Sequence, residues 1–215
     1  MKYLMGACIL TLAACGKDSS KSSSQTQAEL VQEEQGIYRA VLATLNPGVN
    51  QNKSFGTAAI TVAGDEFKVK INMINTPGNV THLQEVRTGK RCPEAQDDAN
   101  KDGFIDHLEG SKAFGNMLIP LDGDLNSQIA ENKKLPQSNS TGSYSYSETA
   151  SLSRLLADLK QFSDLELNLS GRHFVVYSIP ASVKLPATVA AIEGLTPNQS
   201  LPIACGKIVR IPEEN

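Results

Sequence analysis

The chain has 215 residues, 40% of them hydrophobic, and a net charge of −3, which is enough apolar material for one core of ordinary domain size. Its acidic and basic residues are interspersed with no basic stripe, so the linear sequence implies neither nucleic acid nor an anionic lipid surface as a partner. Trp is absent and aromatics are 5%, which argues against stacking platforms for bases or sugars.

Met1-Lys2-Tyr3 supplies one positive charge, and residues 4–12 follow as a short apolar run. That is the layout of a secretory signal. The run is too short for a spanning helix, which needs about 20 apolar residues. It ends in Leu12-Ala13-Ala14-Cys15-Gly16, which resembles the lipobox of bacterial lipoproteins. The resemblance implies cleavage before Cys15 and diacylglycerol on its sulfur. Acyl chains contribute about 0.8 kcal/mol per buried methylene, so several would hold the protein on a membrane. In lipoprotein families an Asp after the cysteine marks inner-membrane retention; Gly16 stands there, so the expected address is the outer membrane of a bacterial envelope. Residues 17–28 are Ser-rich and polar, as in a flexible tether. The expected organisation is a signal peptide over 1–14, the lipidated cysteine and tether over 15–36, and one domain over 37–213. Cys8 leaves with the signal and Cys15 is taken by lipid, so Cys92 and Cys205 are expected to pair in an oxidising compartment.

Along the chain, residues 37–45 fit either a helix, through Tyr38, Val41, Leu42 and Leu45, or a strand, through Ile37, Arg39, Val41, Ala43 and Leu45. Residues 57–63 and 67–75 alternate apolar and polar positions on either side of Gly64-Asp65, which predicts a hairpin with a two-residue turn. Further strands are expected over 80–86, 117–121, 173–179 and 203–211. Within 148–162, Leu152, Leu155, Leu156, Leu159 and Phe162 recur at spacings of three and four, the mark of one apolar helical face. Many short strands predict an all-β, antiparallel sandwich or barrel with one helix.

Residues 98–109 read D-A-N-K-D-G-F-I-D-H-L-E. Asp98, Asn100 and Asp102 fall at positions 1, 3 and 5 of an EF-hand-type loop, Gly103 at 6, Phe104 at 7, Asp106 at 9 and Glu109 at 12. A hard cation wants six to eight oxygens; a tight turn at Gly103 lets the first three side chains converge with the Phe104 carbonyl, and Glu109 closes the shell. Calcium is therefore the expected cofactor. Long flanking helices are missing, since Cys92-Pro93 lies upstream and Gly110 and Gly115 follow, so a structural clamp is expected rather than a switch. His107 is expected to be solvated. Asp122, Asp124 and Asn126 repeat the alternation without the glycine or the closing carboxylate.

Three runs carry a further resemblance: Thr81-His82-Leu83-Gln84-Glu85, Gly171-Arg172-His173-Phe174-Val175-Val176-Tyr177 and Ile203-Ala204-Cys205-Gly206-Lys207-Ile208. With the hairpin they cover most of 37–211, and the chain resembles the copper/zinc superoxide dismutase-like β-sandwich family, including bacterial lipoproteins with an EF-hand-type insert. The resemblance implies a Greek-key sandwich, a Cys92–Cys205 disulfide and an edge strand at 37–45. Enzymatic chemistry in that family needs copper and zinc held largely by imidazoles, and this chain has three His. His82-Leu83-Gln84 stands where the family has His-x-His, and Tyr177 stands where it has His. His173 is expected to be exposed. With no G-x-S-x-G elbow, Walker loop or H-E-x-x-H either, no catalytic residues are expected. The reading is a calcium-binding, membrane-anchored module of a non-catalytic kind, its protein or envelope partner unnamed. The rival is a degenerate superoxide dismutase-like metalloenzyme with copper at His82 beside Tyr177; a third possibility makes the calcium loop itself a partner interface.

Overall fold

A computed structural model describes residues 26–49, 53–127, 134–163 and 165–212. The signal segment, Cys15 and residues 16–25 of the tether lie outside the described residues.

Thr26 opens helix α1 (Gln27–Glu33) through a reciprocal capping box with Glu29, which satisfies two of the N–H groups a helix start leaves free. The last part of the span read as tether is thus helical, and Gln27 donates to the Ser153 carbonyl at 2.6 Å. The chain continues through β1 (Gly36–Thr44), β2 (Phe55–Ala63), β3 (Glu66–Ile74), β4 (Gln84–Arg87), a 3-10 turn (Ala95–Asp97), α2 (His107–Phe114), β5 (Met117–Pro120), β6 (Tyr144–Ser151), α3 (Leu152–Phe162), β7 (His173–Tyr177), α4 (Pro197–Ser200), β8 (Pro202–Lys207) and β9 (Val209–Ile211).

The strands pair in the order β5-β4-β7-β8-β1-β2-β3-β6, with β9 also on β1, and every ladder is antiparallel. The result is an all-β, curled half-barrel with few helices. Period-two alternation sets the inside: Tyr38, Ala40 and Leu42 of β1, Ala58, Ile60 and Val62 of β2, and Phe67, Val69, Ile71 and Met73 of β3 are all buried. Each large apolar side chain of this kind contributes about 1.5–3 kcal/mol relative to exposure. Helix α3 adds Leu152, Leu155, Leu156 and Leu159 to the same cluster.

The hairpin forms as expected, with Ala63 opposite Glu66 and Gly64 at φ 59° in the turn. Elsewhere the expectations are corrected. Residues 37–45 form a strand, but not an edge: β1 bonds β2 on one side and both β8 and β9 on the other. The 80–86 strand shrinks to Gln84–Arg87, with Thr81 in an isolated bridge to Gln137. The 203–211 run breaks at Ile208, whose N–H turns to the Arg172 carbonyl at 2.7 Å. The helix expected from 148 starts at Leu152, because Ser151 accepts the Arg154 N–H as an N-cap and residues 148–151 stay in β6, paired with β3. His173 is inside, 1% exposed, since β7 lies between β4 and β8 with all five residues buried.

Candidate functional site

The 98–109 segment leaves the short 3-10 turn and enters α2. Its local chemistry follows from short carboxylate and amide side chains that reach their own backbone. Asp98 accepts the N–H groups of Asp102 at 3.2 Å and Gly103 at 3.0 Å. Asn100 accepts the same Asp102 N–H at 2.8 Å, and Asp102 accepts that of Phe104 at 2.9 Å. Lys101 at φ 60° and Gly103 at φ 92° provide the sharp turn. Asp106 caps α2 by accepting the Glu109 N–H at 3.0 Å, and Glu109 returns a carboxylate oxygen to the Asp106 N–H at 3.3 Å. The other oxygen of Glu109 accepts from Ala99 at 2.8 Å and Asn100 at 3.0 Å, so Glu109 ties the end of the segment to its beginning.

The side chains of Asp98, Asn100, Asp102, Asp106 and Glu109 therefore all bond backbone N–H groups within one closed turn. Among the described residues, however, no group of three or more His, Cys, Asp or Glu side chains is gathered as a metal centre. The donor chemistry and the backbone turn fit a hard cation; Glu109 would have to exchange its backbone bonds to offer both oxygens to an ion.

The loop and its upstream base are fastened by five contacts. The Cys92–Cys205 disulfide joins its upstream base to β8 with Cα atoms 5.8 Å apart, and Arg91 pairs with Asp97 at 2.6 Å. The Asn46 amide holds Ile105. On the far side the Thr188 hydroxyl donates to Asp102 at 2.6 Å and the Ala190 N–H to Asp106 at 2.7 Å. Burial opposes ionisation of Asp102, but the Thr188 hydroxyl, the Phe104 N–H and Asn100 together bring its carboxyl below the ordinary value.

A buried ionic group, not foreseen from the sequence, fixes the exit of α2. Arg87 and Glu85, each 4% exposed, meet at 2.6 Å. Tyr177 accepts from Arg87 at 2.8 Å and donates to Glu85 at 3.1 Å. Arg87 also donates twice to the Gly115 carbonyl, at 3.0 and 2.8 Å, and covers the Phe114 ring at 4.5 Å. Opposite charges two apart on one strand face were the available signal.

The three imidazoles do not converge on a metal among the described residues. His82 is fully buried, stacked on Tyr144 at 5.1 Å. Its Nδ1 meets the Tyr177 carbonyl at 2.9 Å and so carries the proton, while Nε2 has no partner. His173 bonds the Gly89 carbonyl at 3.0 Å. His107 is half-buried rather than solvated, with Nδ1 shut in without a partner; burial and the nearby Arg87 charge push it down to about 4. Asp122 and Asp124 accept the N–H two residues on, forming local turns.

No model of a known family matches the chain, and no curated protein matches it by sequence. Among the described residues no helix is long and apolar enough to cross a membrane.

Proposed function

We propose that this chain is a calcium-binding lipoprotein of the bacterial envelope, anchored through Cys15 and built as a Greek-key, superoxide dismutase-like β-sandwich. It acts as a binding or structural module without catalysis. The observation that carries the reading is the closed turn of residues 98–109, in which Asp98, Asn100 and Asp102 precede a positive-φ glycine and Asp106 caps the exit helix. Asp98, Asn100, Asp102, Asp106, Glu109 and the Phe104 carbonyl would hold the ion. A divalent charge there would relieve the mutual repulsion of four carboxylates. The disulfide fits an oxidising compartment, and the adjacency of β8 to β1 supports a Greek-key path.

Calcium titration of the purified full-length protein, followed by thermal melting, tests this. Binding to the folded state alone stabilises by about 2.7 kcal/mol at a hundredfold excess over Kd, so the midpoint rises with calcium and falls again on chelation. Metal analysis is expected to find one calcium per chain. The unpartnered Nε2 of His82 favours the second reading, a degenerate copper enzyme; stoichiometric copper with superoxide loss establishes that reading in place of the first.

A further inference from the structure

The sheet made by β9, β1, β2 and β3 has one face packed on the core and one in solvent. On the solvent face Ile37, Val41, Phe55, Ile74 and Val209 are 44–60% exposed, although a soluble sheet would place polar residues there. Between them stand Arg39, Lys68 and Lys70. The register places Arg39 opposite Ala59 and Ala59 opposite Lys70, and aligns Ile37, Thr61 and Lys68 in the next row. None of these cations belongs to an ion pair among the described residues; Glu66, at the turn end, is the one carboxylate in the outward rows of β1–β3. A chain of net charge −3 thus presents a basic, partly apolar face that only folding assembles.

We propose that this face rests on an anionic phospholipid surface. The inference builds on lipidation at Cys15. Residues 16–25 separate that cysteine from Thr26, and ten residues reach at most about 36 Å, so the domain cannot stray far from the bilayer. The described chain also begins at one end of this sheet: α1 leads into β1 through Gln35, whose amide bonds Gly64 in the β2–β3 turn at 2.9 and 2.7 Å. Juxtamembrane Lys and Arg are drawn to anionic headgroups while apolar side chains settle among the acyl boundary. A second copy of the same face would set Arg39, Lys68 and Lys70 against like charges.

The test reconstitutes the full-length, lipidated protein in vesicles of phosphatidylcholine alone or with added phosphatidylglycerol, and reads amine labelling of each lysine by mass spectrometry. Lys68 and Lys70 are expected to react several-fold more slowly in the anionic vesicles, with Lys112 and Lys184 unchanged. High salt restores their reactivity, because screening shortens to about 3 Å at 1 M. Arg39→Glu with Lys70→Glu abolishes the protection of Lys68 without altering flotation or the melting temperature. Equal labelling in both vesicle types, in protein that floats with both, overturns the surface contact and leaves the anchor intact. Protein that floats with neither overturns both. Protection that needs no lipid and grows with protein concentration points to self-association and also overturns the proposal.

Discussion

The side-chain amide of Asn46 holds both backbone polar groups of Ile105, donating to its carbonyl at 2.9 Å and accepting its N–H at 2.8 Å. It supplies the donor and acceptor that a neighbouring strand would otherwise offer, and a second N–H of the amide reaches the Pro202 carbonyl at 2.9 Å. Asn46 is 5% exposed and sits at φ 50°, a conformation Asn tolerates better than most residues. Asn46→Ala strands these groups out of water at about 1–3 kcal/mol each. The expected loss is about 2–4 kcal/mol by urea denaturation, allowing for partial relaxation, together with weaker calcium binding. An unchanged denaturation midpoint contradicts this account of how the loop is seated.

The hairpin was legible because Phe67, Val69, Ile71 and Met73 declare one face by period alone, and the turn residues sit between two such runs. The loop was legible as an order of oxygen donors. What the sequence hid is how those donors are used: Glu109 bonds N–H groups across the loop, a contact no spacing rule specifies. β6 was masked because its outward positions are Ser and Thr and its tail merges with the Leu pattern of α3. β1 was placed at an edge because strand order depends on long-range pairing, with β8 and β9 arriving from the far end of the chain. His173 and His107 look like surface residues in sequence; neighbouring strands and the Arg87 and Phe114 side chains enclose them.

Glu109→Gln separates ion binding from loop architecture. Glutamine keeps an oxygen for the Ala99 and Asn100 N–H groups but loses the charge and the long bond from the Asp106 N–H, so the melting temperature without calcium is expected to fall only slightly while the calcium-induced rise disappears. Asp106→Ala removes a cap worth about 1 kcal/mol and the bond from Ala190, and is expected to lower stability with or without calcium. Retention of the full calcium response in Glu109→Gln removes this residue from the ion's shell.

The Glu85–Arg87–Tyr177 group carries a sharper energetic expectation. Removing one member of a buried ion pair leaves an uncompensated charge and costs about 3–5 kcal/mol. Arg87→Met should approach that figure, with Glu85 stranded and Gly115 deprived of both donors. Tyr177→Phe, which removes one hydroxyl and leaves the pair intact, should cost about 1–2 kcal/mol. Equilibrium denaturation of the two variants checks the ordering; a Tyr177→Phe loss as large as that of Arg87→Met would place the weight on the hydroxyl instead.

The disulfide joins cysteines 113 positions apart in sequence. Constraining the unfolded chain over that length stabilises by about 4–5 kcal/mol in the chain-entropy model. Cys205→Ser is expected to lower the stability by this order, and dithiothreitol is expected to have a matching effect on the parent protein and none on the variant. Denaturation curves of both proteins with and without reductant test it.

Acid should weaken the fold before any carboxylate of ordinary strength titrates. Burial lowers His82, against the opposing carbonyls of Tyr177 and Pro77, and burial likewise lowers His173, opposed by the Gly89 carbonyl. Both folded values lie below the unfolded value of 6.5. Between the folded and unfolded values the unfolded chain binds more protons, so stability rises with pH there. The contribution is fully present above the unfolded value and is lost as pH falls through 6.5 toward the lowered folded values. Glu34, raised by burial from 4.5, works in the opposite sense and only around or above that value. The urea midpoint is therefore expected to fall from pH 7.5 to pH 5.0, and to fall less in His82→Phe, which keeps a ring against Tyr144 but has nothing to protonate. A midpoint that holds steady or climbs over that interval shows that these imidazoles are protonated as readily in the folded protein as in the unfolded chain.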